Sequence, residues 1–234
     1  SGCSLSVGRN SVTIEWTFFL SELMQNPILL VVTLLNIGVI IVNGATDAPN
    51  AIATAVSTRA MKPRHAIIMA AVFNFLGLLL VSLVSTAVAH TIFSMVDFGG
   101  NSHQALTALM AAMVAIIVWG AAAWWFGIPT SQSHSLIAGV TGGAIALNGL
   151  AGVVLSEWML VIYGMVFSLV GGFILGMVTT KIIEFLFSRV NRQRGNKVCM
   201  VLQDICACAL SFLHGAQDGQ KFMSIGLLGI ALAF

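Results

Sequence analysis

The sequence predicts an all-α polytopic membrane protein, and three observations carry that prediction. Several apolar runs reach the ~18–20 residues that a bilayer crossing needs. Charged residues make up only 8% of the 234 residues and hydrophobic ones 58%, whereas soluble domains carry about 25% charged residues. The regularly alternating short strands of a transmembrane barrel are absent from the pattern.

Residues 1–26 are mixed in character and lack the charged, then apolar, then small pattern of a signal peptide. They are assigned to an extracytoplasmic N-terminal segment. The first apolar run, residues 28–42, extends about 22 Å as a helix, short of a ~30 Å hydrocarbon core. It leads into "NGATDAPN", residues 43–50, and helix is expected to resume near residues 48–50 and reach about Ser57. The polar octet would then sit at membrane depth between two half-helices. A second helix is expected over residues 65–93, followed by the polar loop "SMVDFGGNSHQ". A third apolar stretch covers residues 105–126, is interrupted by "GIPTSQSHS" (residues 127–135), and continues as "LIAGVTGGAIALNG". This unit is either a re-entrant hairpin or two full spans. A long helix is expected over residues 158–187, then a basic loop at 188–198, then a last segment at 199–234 interrupted by "HGAQDGQK". The chain opens on Ser1 and closes inside "GLLGIALAF", as expected of a piece of a longer protein.

Two basic clusters orient these spans. Arg59, Lys62 and Arg64 follow the first, and Arg189, Arg192, Arg194 and Lys197 follow the long helix. The positive-inside rule places loops 59–65 and 188–198 in the cytoplasm of a cell-membrane protein. The first span then runs inward, the second outward, and the long helix inward, so residues 105–148 start and end outside.

The chain also repeats itself. Residues 43–50, "NGATDAPN", align with residues 214–221, "HGAQDGQK", each inside an apolar helix. The two copies fall in spans of opposite sense, the pattern of an inverted repeat. Residues 27–187 are accordingly read as a first transporter repeat, and 199–234 as the start of a second.

Chemistry concentrates at three places. An unpaired Asp at a membrane helix centre costs about 2.5–3.5 kcal/mol, so Asp47 and Asp218 need a cation, a proton or a hydrogen-bond network. Gly44 and Pro49 favour a break, and a broken helix frees carbonyls for a cation and N–H groups for an anion; a plain proline kink is the simpler account. In "GIPTSQSHS", Thr130, Ser131, Gln132, Ser133, His134 and Ser135 crowd a helix N-terminus, a set that suits a tetrahedral oxyanion or simple capping with interhelical bonds. Lys221 either pairs with Asp218, three residues earlier, or faces the anion. Ser133 and His134 are adjacent and no GxSxG elbow is present, which argues against hydrolase chemistry. Cys3, Cys199, Cys206 and Cys208 form neither a CxxC pair nor a zinc spacing.

These residues resemble the inorganic phosphate transporter family of secondary carriers. That family repeats a Gly-Ala-Asn-Asp-x-x-Asn motif, each copy followed by a Pro-[Thr/Val]-Ser-x-[Ser/Thr]-His stretch. Here the first copy is residues 44–50, the hydroxyl-rich stretch residues 129–135, and the second copy begins at Gly215. Thr46 and Gln217 replace the motif Asn, Lys221 stands where its last Asn falls, and no second hydroxyl-rich stretch follows. The resemblance implies an inverted-repeat carrier with broken helices and a re-entrant hairpin that moves inorganic phosphate with Na⁺ or H⁺. Cation coupling would fall to Asn43, Asp47, Asn50 and Asp218. The anion would be held by residues 130–135 together with Asp47, Asn50, Asp218 and Lys221. No other cofactor, no resident metal, no enzymatic activity and no nucleic-acid partner are expected; the bilayer is the partner, and a homodimer is compatible with the class. A sulfate permease of the same fold and an ion-channel subunit are the alternatives.

Overall fold

The computed structural model describes residues 23–85, 87–99 and 101–233. Among them the secondary structure is helical, apart from an isolated antiparallel bridge between Val96 and Val153. Six helical segments are long and apolar enough to cross a membrane.

Helix α1 spans Pro27–Thr46. Asn26 caps it, its side-chain oxygen accepting from the N–H groups of Ile28 and Leu29, with Pro27 in the first turn, where a missing N–H costs nothing. The octet does not end this helix at Val42, as expected. Residues 43–46 remain helical because Thr46 Oγ1 donates to the Val42 carbonyl at 2.9 Å and Asp47 N–H to that of Asn43 at 2.9 Å. The break falls after Thr46, where Pro49 enters a 3₁₀ turn, Ala48–Ala51, that hands over to the short α2, Ala53–Ser57. Gly44 plays no part in it.

The expected second helix is two: α3, Pro63–Val84, and α4, Ala87–Ser94. Ser85 is extended between them, and its carbonyl accepts from Gln220 Nε2 at 2.8 Å. Helix α5, Ser102–Phe126, is capped by Asn101 and ends on Gly127 in the left-handed conformation, φ 65°. Helix α6, Gln132–Asn148, folds back along it. The two ends of this α5–α6 hairpin are stitched together: Asp97 N–H donates to the Gly152 carbonyl at 2.9 Å, and Val154 N–H to that of Met95 at 3.1 Å. The two ends of the hairpin therefore lie together at one end of the bundle. Its arms are each long enough to span, by length and composition. Helix α7, Leu155–Phe187, carries no buried residue.

Helix α8, Arg192–Ala233, is continuous and corrects two expectations. The basic segment 188–198 is a loop only to Asn191, whose Oδ1 accepts from Gln193 N–H at 3.0 Å and starts the helix. The octet 214–221 does not interrupt it. Gln220 stands where the first copy has Pro49, so it keeps its N–H and clears the preceding turn, and Gly219 alone costs a helix only about 1 kcal/mol.

Helix α8 organises the rest. It runs alongside α3 in the same direction, with Asn74 beside His214 and Ser85 beside Gln220. The approach is close enough that a Cβ on Gly77 would run into the Phe212 carbonyl, and one on Gly215 into that of Asn74. Against α1 it runs in the opposite direction: Gly226 meets Asn36 and Gly229 meets Val32. The two octet-bearing helices are thus antiparallel. The core between α1, α5, α6 and α8 is apolar, built on Val32, Leu109, Met113, Leu136, Phe222 and Ile225.

Candidate functional site

Both octet carboxylates converge on the first turn of α6. Asp47, at the α1 break, accepts the backbone N–H of Gln132 on Oδ2 at 3.1 Å. Thr46 Oγ1 lies 3.2 Å from the other oxygen. Asp218, mid-helix on α8, accepts from Ser133 Oγ at 3.1 Å and from Lys221 Nζ at 2.9 Å, both on Oδ1. Lys221 Nζ also donates to Ser133 Oγ at 2.9 Å. Consecutive residues of one helix N-terminus, Gln132 and Ser133, therefore bind the acids of the two copies. The helix dipole, positive at this end, favours carboxylates there.

On the far side of Asp218, His214 Nε2 lies 3.4 Å from Oδ2. Its Nδ1 is 2.6 Å from Asn74 Oδ1, while Asn74 Nδ2 donates to the Ala70 carbonyl at 2.8 Å. The amide orientation makes His214 Nδ1 the donor. Asn74 sits midway along α3, so the chain Asn74–His214–Asp218–Lys221–Ser133 lies near the centre of a spanning helix.

The other expected residues are spread around this centre. Gln132 is fully buried, and both its side-chain polar atoms lack a hydrogen-bond partner. Its amide fits against α5 because Gly120 has no side chain there; a Cβ would strike it. Asn43 is also buried, with an unpartnered Oδ1. Thr130 turns outward and accepts from Trp119 Nε1 at 2.9 Å. Ser131 is the helix-capping residue but makes no side-chain cap bond, and Ser135 Oγ donates to its carbonyl at 3.1 Å. His134 and Asn50 are exposed. Asn74 and His214 were not among the expected residues; a lone Asn within the apolar "VFNFLG" was the available signal. A cavity of about 770 Å³ opens beside the cluster between α1, α3 and α8, with Asn36, Asn43, Asn74 and His214 in its wall.

The set can act on ions of both signs. Two carboxylates supply negative charge for a cation, while a helix N-terminus, hydroxyls and an ammonium supply donors for an oxyanion. It holds no nucleophile–base pair poised for covalent chemistry of the Ser–His type, since Ser133 faces Asp218 and His134 is exposed.

Comparison with known proteins gives a consistent picture. Residues 43–201 match the phosphate transporter family. A probable low-affinity inorganic phosphate transporter of Bacillus subtilis (strain 168) is 36% identical over 192 residues, covering 82% of this chain and 56% of the relative. A probable low-affinity inorganic phosphate transporter of Streptomyces halstedii is 34% identical over 193 residues, covering 80% of this chain and 87% of the relative. The low-affinity inorganic phosphate transporter PitA of Escherichia coli (strain K12) is 32% identical over 221 residues, covering 82% of this chain and 43% of the relative. This chain spans about half the length of the Bacillus and Escherichia relatives. A solved structure described as the sodium-dependent phosphate transporter superposes with a TM-score of 0.64 at 23% identity, covering 88% of this chain and 55% of that one.

Proposed function

This chain belongs to the phosphate transporter family, and on that premise we propose that the protein moves inorganic phosphate across the cell membrane by symport with a cation. It is a multi-pass membrane chain of a transporter family rather than an enzyme. The observation that carries the proposal is the meeting of Asp47 and Asp218 on the first turn of α6. Two antiparallel helices bring their acids to one hairpin tip, as expected where inverted repeats build a shared midplane site.

In this proposal Asp47 and Asp218 attract the coupling cation, with Asn43 and Asn50 available to it around the α1 break. Ser133, Lys221 and the first-turn N–H groups of α6 receive phosphate, with Thr130, Ser131, Gln132, His134 and Ser135 arranged around the same tip. The structure-matched protein is described as sodium-dependent, which supports Na⁺ as one coupling ion; H⁺ is the other. Alternating access comes from one repeat rocking against the other around the site. Sulfate has the same shape as phosphate but carries no proton near neutral pH, so a carboxylate near the anion favours phosphate. The test is labelled phosphate uptake by the full-length protein in proteoliposomes under imposed Na⁺ or pH gradients, with sulfate as competitor. Gradient-driven phosphate accumulation supports the proposal. Strong sulfate competition without phosphate accumulation reverses the substrate.

A further inference from the structure

We propose that Lys221 is a built-in counter-cation: its ammonium occupies at Asp218 the place that an exchangeable cation takes at Asp47. The paired acids then load one mobile cation rather than two. The proposal deepens the symport assignment above and rests on it.

The two copies of the octet are alike in sequence and unlike in electrostatics. Asp47 receives the Gln132 N–H, a neutral donor, and lies 3.2 Å from the neutral Thr46 hydroxyl. Among the described residues, no Lys, Arg or His nitrogen lies within 4.0 Å of it. Its charge is oriented but not neutralised. Asp218 is different. Lys221 Nζ sits 2.9 Å from its Oδ1, with the two side chains only 20% and 11% exposed. A pair so placed is weakly screened by solvent, and Lys221 approaches Asp218 more closely than His214 Nε2 does, 2.9 against 3.4 Å.

Helix continuity makes this pairing possible. Residues three apart on an unbroken helix share a face, and α8 runs unbroken through 214–221. In the first copy the 3₁₀ turn at Ala48–Ala51 intervenes, and Asn50, the counterpart of Lys221, is exposed. Gln220 in place of Pro49 and Lys221 in place of Asn50 therefore act together: one keeps the helix, the other uses it to reach back.

The ammonium also occupies a cation's natural ligands. Hard cations take carboxylate and hydroxyl oxygens, and Lys221 already binds one of each, Asp218 Oδ1 and Ser133 Oγ. A metal cation that used these two oxygens would have to displace it. Through Ser133 the same ammonium is tied to the tip of the α5–α6 hairpin, so the fixed charge holds that tip to α8.

The test uses the purified full-length protein and its Lys221→Gln variant, reading thermal stability in NaCl against equimolar choline chloride without phosphate. Lys221→Gln vacates the seat, so it should gain an Na⁺-dependent rise in Tm, beyond any wild-type response, of about 3 °C or more at tenfold over Kd. The double variant Asp218→Asn/Lys221→Gln removes both charges and should return the Na⁺ response to the wild-type size. Should Lys221→Gln fail to fold, the double variant carries the test: a larger Na⁺ response than wild type would overturn the proposal. An unchanged Na⁺ response in a folded Lys221→Gln also overturns it and leaves Lys221 with the phosphate-contact role alone. Because the readout contains no phosphate, it is separate from the transport assay: wild type failing to accumulate phosphate counts against the transport assignment alone.

Discussion

Asp47 accepts the backbone N–H of Gln132 at 3.1 Å, across 85 residues of chain. The bond joins the broken end of α1 to the first turn of α6, and it depends on charge at the carboxylate. Hydrogen bonds to charged groups contribute about 1.5–3 kcal/mol.

Asp47→Asn should therefore cut phosphate uptake by about tenfold or more. Initial rates in proteoliposomes, with folding checked by size-exclusion elution, measure this. Uptake at the wild-type rate would remove Asp47 from the coupling role.

Hydroxyls of the hairpin tip should not be equivalent. Ser133 touches both Asp218 and Lys221, whereas Thr130 bonds outward to Trp119. Ser133→Ala should reduce uptake by about tenfold, the loss of one charge-assisted bond, and Thr130→Ala by less than about threefold. Parallel uptake curves decide it; equal losses would place the anion nearer Thr130 than the geometry suggests.

Glycines on α3 and α1 should separate by environment. Gly77 abuts the Phe212 carbonyl, while a Cβ on Gly44 meets nothing within 4 Å. Gly77→Ala should destabilise by about 1–3 kcal/mol or more, as overpacking does. Gly44→Ala, in a helical and open position, should stabilise by roughly 0.5–1 kcal/mol. Thermal melts of the detergent-solubilised protein compare them.

Loss of the α1 cap should cost stability. Asn26 accepts two N–H groups through its side chain. Asn26→Ala should cost about 0.5–2 kcal/mol and lower Tm by a few degrees, with phosphate affinity unchanged, as a melt and a binding isotherm on the same preparation would report.

Much of this was legible in the sequence because a bilayer is a strict solvent. Length and apolarity gave the spans; the loop charges predict opposite senses for the two octet-bearing spans, and α1 and α8 run antiparallel. The break at Pro49 and the hairpin turn at Gly127 were also legible, since each rests on a residue with restricted or permissive backbone. What escaped depended on partners. Residues 43–46 stay helical through local bonds of Thr46 and Asp47, which hydropathy does not register. The second octet was expected to break by analogy with the first, yet Gln220 lacks the proline ring that forces a break. The gap at Ser85 takes a bond from Gln220, 135 residues away. At the site, the acids and Ser133 were anticipated, but Asn74 and His214 were not, because their meeting depends on how α3 lies against α8.

The stitch at Val96 and Val153 shuts the open end of the α5–α6 hairpin. A fork bound at its base behaves as a single stiff prong: its point cannot wander by splaying the tines. Any stroke that carries the tip away from Asp47 and Asp218 must swing the whole prong from that base, or slide α1 and α8 past it. Substitutions at Val96, Asp97 or Val153, far from any ion, should therefore be felt at the point as a change in turnover speed rather than in how tightly cargo is held.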